Sequence, residues 1–384
     1  MRRILRLLWM LLLWGGVTVS LMLTVSAENP EYEAVTLPPS YADLENYIPK
    51  DMAGILPEGV FSENAEEALS AVGEMSDWRY LLNAVLSAVG LRMEDAIGWL
   101  CTLLGLVLVA AILGKLREGI GGANGELLGL CLRLTLYTAI SVQTVRMVET
   151  VQVFFSQLNA LMGGLIPVTG VLYAMGGNLG QAALNGEITV ILLAVCEYVS
   201  ATVTPPVCAL CMSFSLMDAF GLRTTLAPLC EQVKKWYVGL LGLIMFLLTL
   251  AISTQSILVG RADSLGMKGI KYAVGNMLPV IGGAVAGSLG TVAAGVGILR
   301  GICGVSGVIL VALLLLPTLV HLLLFRAVIR LASTVAGLLG CEGESRLLTE
   351  MASLHGYMAA AVSVCSVTCI LSLSLLIHST AALA

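Results

Sequence analysis

The sequence predicts an all-α fold, a polytopic membrane protein with about six to eight membrane segments, and three observations carry that reading. Of the 384 residues, 58% are hydrophobic and only 12% are charged, far from the balance of a soluble domain. Uncharged apolar runs recur along the chain, several of them long enough to cross a hydrocarbon core of about 30 Å as helices. Prolines and glycines interrupt such runs at matching places. Pro279 and Pro317 are 38 residues apart, as are Pro167 and Pro205, and an offset of 112 sets Gly163 on Gly275, Val168 on Val280, Gly170 on Gly282, Leu210 on Leu322 and Lys234 on Arg346. That pattern suits an internal repeat, units 163–234 and 275–346, of the kind found in transporters. Coincidence in a low-complexity apolar sequence is the alternative.

The N-terminal region is set apart by charge. Residues 1–27 combine Arg2, Arg3 and Arg6, an apolar run over 7–25, and Val25-Ser26-Ala27 before Glu28, which are the parts of a secretory signal peptide. Cleavage after Ala27 is expected, and an uncleaved signal anchor is the alternative. Residues 28–77 hold 12 of the 25 acidic residues, with Lys50 the only basic one. Over 28–57, Pro30, Pro38, Pro39, Pro49 and Pro57 punctuate this acidic stretch, which reads as an extended or poorly ordered exported arm. From Ser62 onward, Leu69, Val72, Met75, Leu82, Val85, Leu86 and Val89 recur at mostly three- and four-residue steps, the mark of an amphipathic helix. The exported region is therefore drawn as 28–95 and the polytopic domain as 96–384.

Residues 96–114 are the first clear span, and Lys115 and Arg117 behind it fall on the cytoplasmic side by the positive-inside rule. Residues 126–153 are apolar but carry Arg133, Arg146 and Glu149; 154–177, with Pro167 and five glycines, suggest a broken or re-entrant helix. Further spans are expected at 188–203, 207–222, 236–258, 302–325 and 352–376. Pro205-Pro206 either kinks the first pair or starts its second member. Arg223, Lys234 and Lys235 read as one basic loop, Arg261, Lys268 and Lys271 as another, and 341–350 as a polar loop. The two basic loops conflict: a single crossing at 236–258 puts one of them outside, against the positive-inside rule. Nine glycines over 282–307 allow helices to approach closely.

No catalytic constellation emerges, so no enzyme and no cofactor are expected. His321, His355 and His378 lack metal-ligand spacing, Cys208-x-x-Cys211 has no second pair, and 119–125 is a glycine-rich turn without the Lys-Ser/Thr of a phosphate loop. The ten cysteines avoid 28–77 and read as small packing residues. Ionisable residues within apolar runs are the better candidates, because burying a charge in lipid usually needs a partner or a polar pathway. Arg133, Arg146, Glu149, Glu197, Asp218, Arg300 and Arg326 qualify. Arg146, Asp218 and Arg326 suit snorkelling near helix ends, whereas Glu197 and Arg300 lie deepest.

Residues 260–292 read G-R-A-D-S-L-G-M-K-G-I-K-Y-A-V-G-N-M-L-P-V-I-G-G-A-V-A-G-S-L-G-T-V. This stretch resembles the signature of the stage III sporulation protein AE family, with similar A-D-S-L, K-x-x-x-G-N and P-V-x-G elements. The exported signal, the acidic ectodomain, the polytopic body and L-I-P-V-T-G-x-L-Y-A-M-G-G near Pro167 are similar too. The resemblance implies a subunit of the multiprotein channel between mother cell and forespore, in the mother-cell-derived membrane around the forespore. Its implied partners are the lipid bilayer, the other channel subunits, among them a secretion-type ATPase and ring-forming proteins, and a forespore-side partner; no nucleic acid is implied. Asp263, Ser264, Lys271, Gly275, Asn276, Pro279 and Gly282 are candidates by motif, with a purely structural role the alternative, and Pro167, Glu197 and Arg300 join them as candidate transport or structural positions. The second functional reading is a secondary transporter for an unidentified small solute, with its site at broken helices around Pro167 and Pro279.

Overall fold

The computed structural model describes residues 36–49, 52, 54–120, 122–219, 226–277 and 282–378. The expected signal peptide and Pro279 lie outside the described residues. The side chains of Asp263, Ser264, Lys271, Asn276 and their neighbours do as well.

Among the described residues there are helices and no strand, apart from an isolated antiparallel bridge between Thr36 and Asn64. After a short turn of helix, α1 (Pro39–Ala42), and a 3₁₀ turn (Asp43–Tyr47) come α2 (Ala65–Met75), α3 (Trp78–Ile120), α4 (Gly122–Met175) and α5 (Leu179–Tyr198). Then follow α6 (Thr204–Ala219), α7 (Ala227–Met277), α8 (Gly282–Leu338) and α9 (Glu342–His378). Among the described residues, six stretches are long and apolar enough to cross a membrane: Trp78–Lys115, Leu127–Met175, Leu179–Asp218, Pro228–Thr254, Ala294–Leu338 and Glu342–Leu375. The chain is an all-α polytopic membrane protein. At 54, 51 and 57 residues, α4, α7 and α8 are roughly 75–85 Å long, more than twice a hydrocarbon core.

The core follows helical periodicity. On α4, Phe154, Leu158, Leu161, Leu165, Val168 and Leu172 repeat at three- and four-residue steps and are all buried. They meet the buried faces of α8 and α9, the most extensive helix pair. That pair closes tightly where glycines permit: a Cβ on Gly304 would overlap Ile377, and one on Gly307 would lie 3.2 Å from Leu373 Cδ1. Only part of the glycine run has this role, since Gly295, Gly297 and Gly301 face open space.

Several boundaries differ from the sequence reading. The acidic arm, from Thr36 on, is folded rather than extended. Tyr41 and Leu44 are fully buried, the Tyr41 and Phe61 rings lie 6.0 Å apart, and the Tyr47 ring covers Gly164 of α4 so closely that a Cβ there would sit 2.7 Å from Cδ2. Asn64 caps α2 by accepting from the Glu66 N–H at 3.0 Å. Neither Pro167 nor Pro317 breaks its helix. Each removes one N–H, which a long helix held on both sides by packing tolerates. The irregularity falls instead at Val199–Val203, a wider π turn directly before Pro205 and Pro206, inside a helical run that continues from α5 into α6. At the 112-residue offset the turn at 176–178 falls on 288–290, inside α8.

The expected loops at 234–235, 261–271 and 341–350 are helical as well. Lys234 and Lys235 lie in α7, where Glu231 offers partners three and four residues away at 3.8 and 3.5 Å. α8 and α9 are joined by three residues ending in a Schellman motif: Cys341 N–H donates to Ala336 C=O at 2.9 Å, Gly340 N–H to Gly337 C=O at 3.1 Å, and Gly340 has φ +79°. Gly340→Ala is expected to cost about 1–2 kcal/mol, the penalty of a left-handed Cβ. Thermal unfolding of the purified protein in nanodiscs checks it, with Gly301→Ala, in open helical space, as the near-neutral control.

Candidate functional site

The helices α3, α4 and α8 border a half-open cavity of about 690 Å³, a size ordinary for small-molecule sites. Its lining is polar for a helical bundle in this setting. α4 supplies Gln143, Arg146, Glu149, Thr150 and Gln157, mostly one stripe at three- and four-residue steps. α3 supplies Arg92, Asp95, Trp99 and Thr102. α8 supplies Pro317, Thr318 and His321, while Pro49 and Met52 of the N-terminal segment close one side.

Two features make this wall chemically available. His321 is 9% exposed, its ring stacked edge-on to Phe325 at 4.8 Å, and its Nδ1 has no hydrogen-bond partner. Trp99 Nε1 is likewise buried without one. At the rim, Arg92, Asp95, Arg146 and Glu149 are exposed, and among the described residues no ion pair joins any two of them.

Of the sequence-derived candidates, Arg146 and Glu149 line this cavity, whereas Arg300, Glu197 and Pro167 lie elsewhere. Arg300 is 1% exposed and caps α4: Nε and Nη2 donate to Leu172 C=O at 3.2 and 3.1 Å, and the guanidinium lies 5.2 Å from the Tyr173 ring centre. Glu197 is exposed on α5 and accepts from Asn159 Nδ2 of α4 at 3.1 Å. Periodicity explains it: its neighbours Cys196 and Val199 take the buried positions and turn Glu197 outward. Pro167 is inside α4 but not in the cavity wall. Arg300, Pro167 and Glu197 thus meet successive levels of α4 without converging. Asp263, Ser264, Lys271, Gly275 and Asn276 fall on the C-terminal part of α7, and Gly282 opens α8.

A second ionic cluster joins α7 to α9. Lys234, fully buried, meets Glu350 Oε2 at 2.8 Å, donates to Ser353 Oγ and lies 5.9 Å from the Tyr357 ring, whose hydroxyl donates to Glu231 at 3.1 Å. A nearby pair, Arg133 and Glu344, links α4 to α9 at 3.5 Å. These contacts hold helices together. Lys234 is therefore part of a helix joint rather than a free flanking charge, whereas Lys235 beside it stays exposed.

The sequence model of the stage III sporulation protein AE family matches residues 62–380. The chain belongs to that family. The match covers α2 to α9, so the Arg300 cap, the Lys234 cluster and the helical walls of the cavity lie within the family region, while Pro49 and Met52 lie before it. No curated protein and no solved structure shows a significant match to the chain.

The sequence reading missed the cavity because its residues come from three separate helices. Two signals were present: the i, i+3 pairs Arg92/Asp95 and Arg146/Glu149, and the polar stripe 143–157 inside an otherwise apolar run. Taken singly, Arg146 and Glu149 do not reveal it, and His321 has no metal-ligand partner at a telling spacing.

Proposed function

We propose that this stage III sporulation protein AE family member is a non-enzymatic integral membrane subunit of the channel connecting mother cell and forespore, seated in the mother-cell-derived membrane around the forespore. Membership of the family over residues 62–380 is the observation that carries the reading. The disposition of its charges is compatible with a structural part in an assembly: Lys234, Arg300 and Arg133 are engaged in joining helices. Apolar side chains such as Ile112, Val190 and Phe246 point outward at 62%, 55% and 62% exposure, which suits lipid and the helices of sibling subunits.

Affinity purification of the full chain from sporulating cells is expected to recover the other channel subunits, with little of the protein present in vegetative cells. Deletion is expected to stop late forespore gene expression. Abundant vegetative protein that recovers no such partners would refute the assignment.

A further inference from the structure

The geometry points to the cavity between α3, α4 and α8 as a binding site for a small zwitterion, a molecule of amino-acid or short-peptide size carrying one anionic and one cationic group. This goes beyond channel membership, which requires no ligand of its own.

Charge balance selects the ligand class. The rim offers two guanidinium groups, Arg92 and Arg146, and two carboxylates, Asp95 and Glu149. On each helix the opposite charges are three residues apart, the spacing at which side chains of one face meet. Yet no ion pair joins them among the described residues, so both signs remain available. A purely anionic ligand would satisfy the arginines and set its charge against the carboxylates; a purely cationic one would do the reverse. A zwitterion engages both. Guanidinium groups suit the anionic end because they offer forked donors, and carboxylates suit an ammonium.

The inner wall supplies the remaining requirements. His321 Nδ1 and Trp99 Nε1 are buried polar atoms without partners, a costly state that a ligand or water relieves. Phe154, Leu314 and Phe325 give the apolar surface that a side chain of the ligand would cover. The volume of about 690 Å³ exceeds what a single amino acid needs and accommodates a short peptide.

A zwitterion could arrive as a free solute or as the headgroup of phosphatidylethanolamine, and the test separates these. The full-length protein is placed in phosphatidylglycerol nanodiscs, and binding of L-leucine and L-alanyl-L-alanine is measured by calorimetry beside N-acetyl-L-leucine and L-leucine methyl ester, which each keep one charge. A parallel arm counts phosphatidylethanolamine retained from mixed nanodiscs by mass spectrometry. Either free zwitterion binding at least tenfold more tightly than both single-charge analogues supports a solute site. Selective retention of phosphatidylethanolamine supports a headgroup site. In either arm, Arg146→Gln and Glu149→Gln, both at exposed positions, are expected to weaken binding by at least tenfold while the gel-filtration profile stays that of the parent. Equal binding of single-charge analogues, no binding of any probe up to 10 mM (about the weakest useful affinity) with no lipid preference, or binding unaffected by both substitutions overturns the proposal. The analogue comparison uses unaltered protein and so does not depend on the variants folding.

Discussion

Glu350→Gln is expected to destabilise the protein by about 3–5 kcal/mol, the cost of leaving a buried charge without its partner. Lys234 is fully buried on α7, and Glu350 Oε2 on α9 is its nearest carboxylate at 2.8 Å. Glu231 is 3.8 Å away and more exposed, so it compensates weakly. The partners are not equivalent. Glu350 keeps 24% side-chain exposure and can turn towards a more polar surrounding when Lys234 is removed, whereas Lys234, at 1%, has no such escape. Lys234→Met is therefore expected to cost less than Glu350→Gln. The double variant Lys234→Met/Glu350→Leu should lie close to the parent, because well-packed apolar groups often replace a buried ion pair at little cost. Unfolding midpoints in nanodiscs give the order. A Glu350→Gln protein as stable as the parent would show that the pair does not hold α7 to α9.

Hydropathy could not have supplied this contact. It assigns the same value to a lysine that flanks a span and to one buried beside a glutamate 116 residues further along the chain. For that reason 234–235 and 341–350 read as polar loops, although Glu231, Glu350 and Ser353 make them helical joints. Where packing alone decides, the sequence is legible: the all-α polytopic class and the close approach at Gly304 and Gly307 follow from composition and spacing. The arm was misread for the opposite reason. Its prolines and acids suggested disorder, but Leu37, Tyr41, Leu44 and Val60 are anchors scattered too irregularly for any helical or strand period to reveal. The cavity was hidden in the same way as the ion pair, in that its polar stripe gains meaning only when α3 and α8 are set against it.

Arg300→Ala is the second substitution with a large expected effect, about 2–4 kcal/mol, from lost charge-assisted hydrogen bonds and the space left behind. α4 ends in a Schellman motif, with Asn178 N–H donating to Tyr173 C=O at 2.9 Å, Gly177 N–H to Ala174 C=O at 3.0 Å and Gly177 at φ +77°. The guanidinium of Arg300 adds donors to the Leu172 and Tyr173 carbonyls at the negative end of that helix. It fits there because Gly176 has no side chain, since a Cβ at that position would overlap Arg300 Nη2. Gly176→Ala is thus expected to cost about 1–3 kcal/mol by overpacking in the parent, but little in the Arg300→Ala background, where the space is vacant. That coupling separates a specific cap from general bundle stability, because residues in contact give non-additive cycles and independent ones add within about 0.5 kcal/mol. Arg300→Lys should recover only part of the loss, as an ammonium supplies charge without the planar fork. Additive costs for Gly176→Ala and Arg300→Ala would mean that the arginine does not occupy the place the glycine leaves for it.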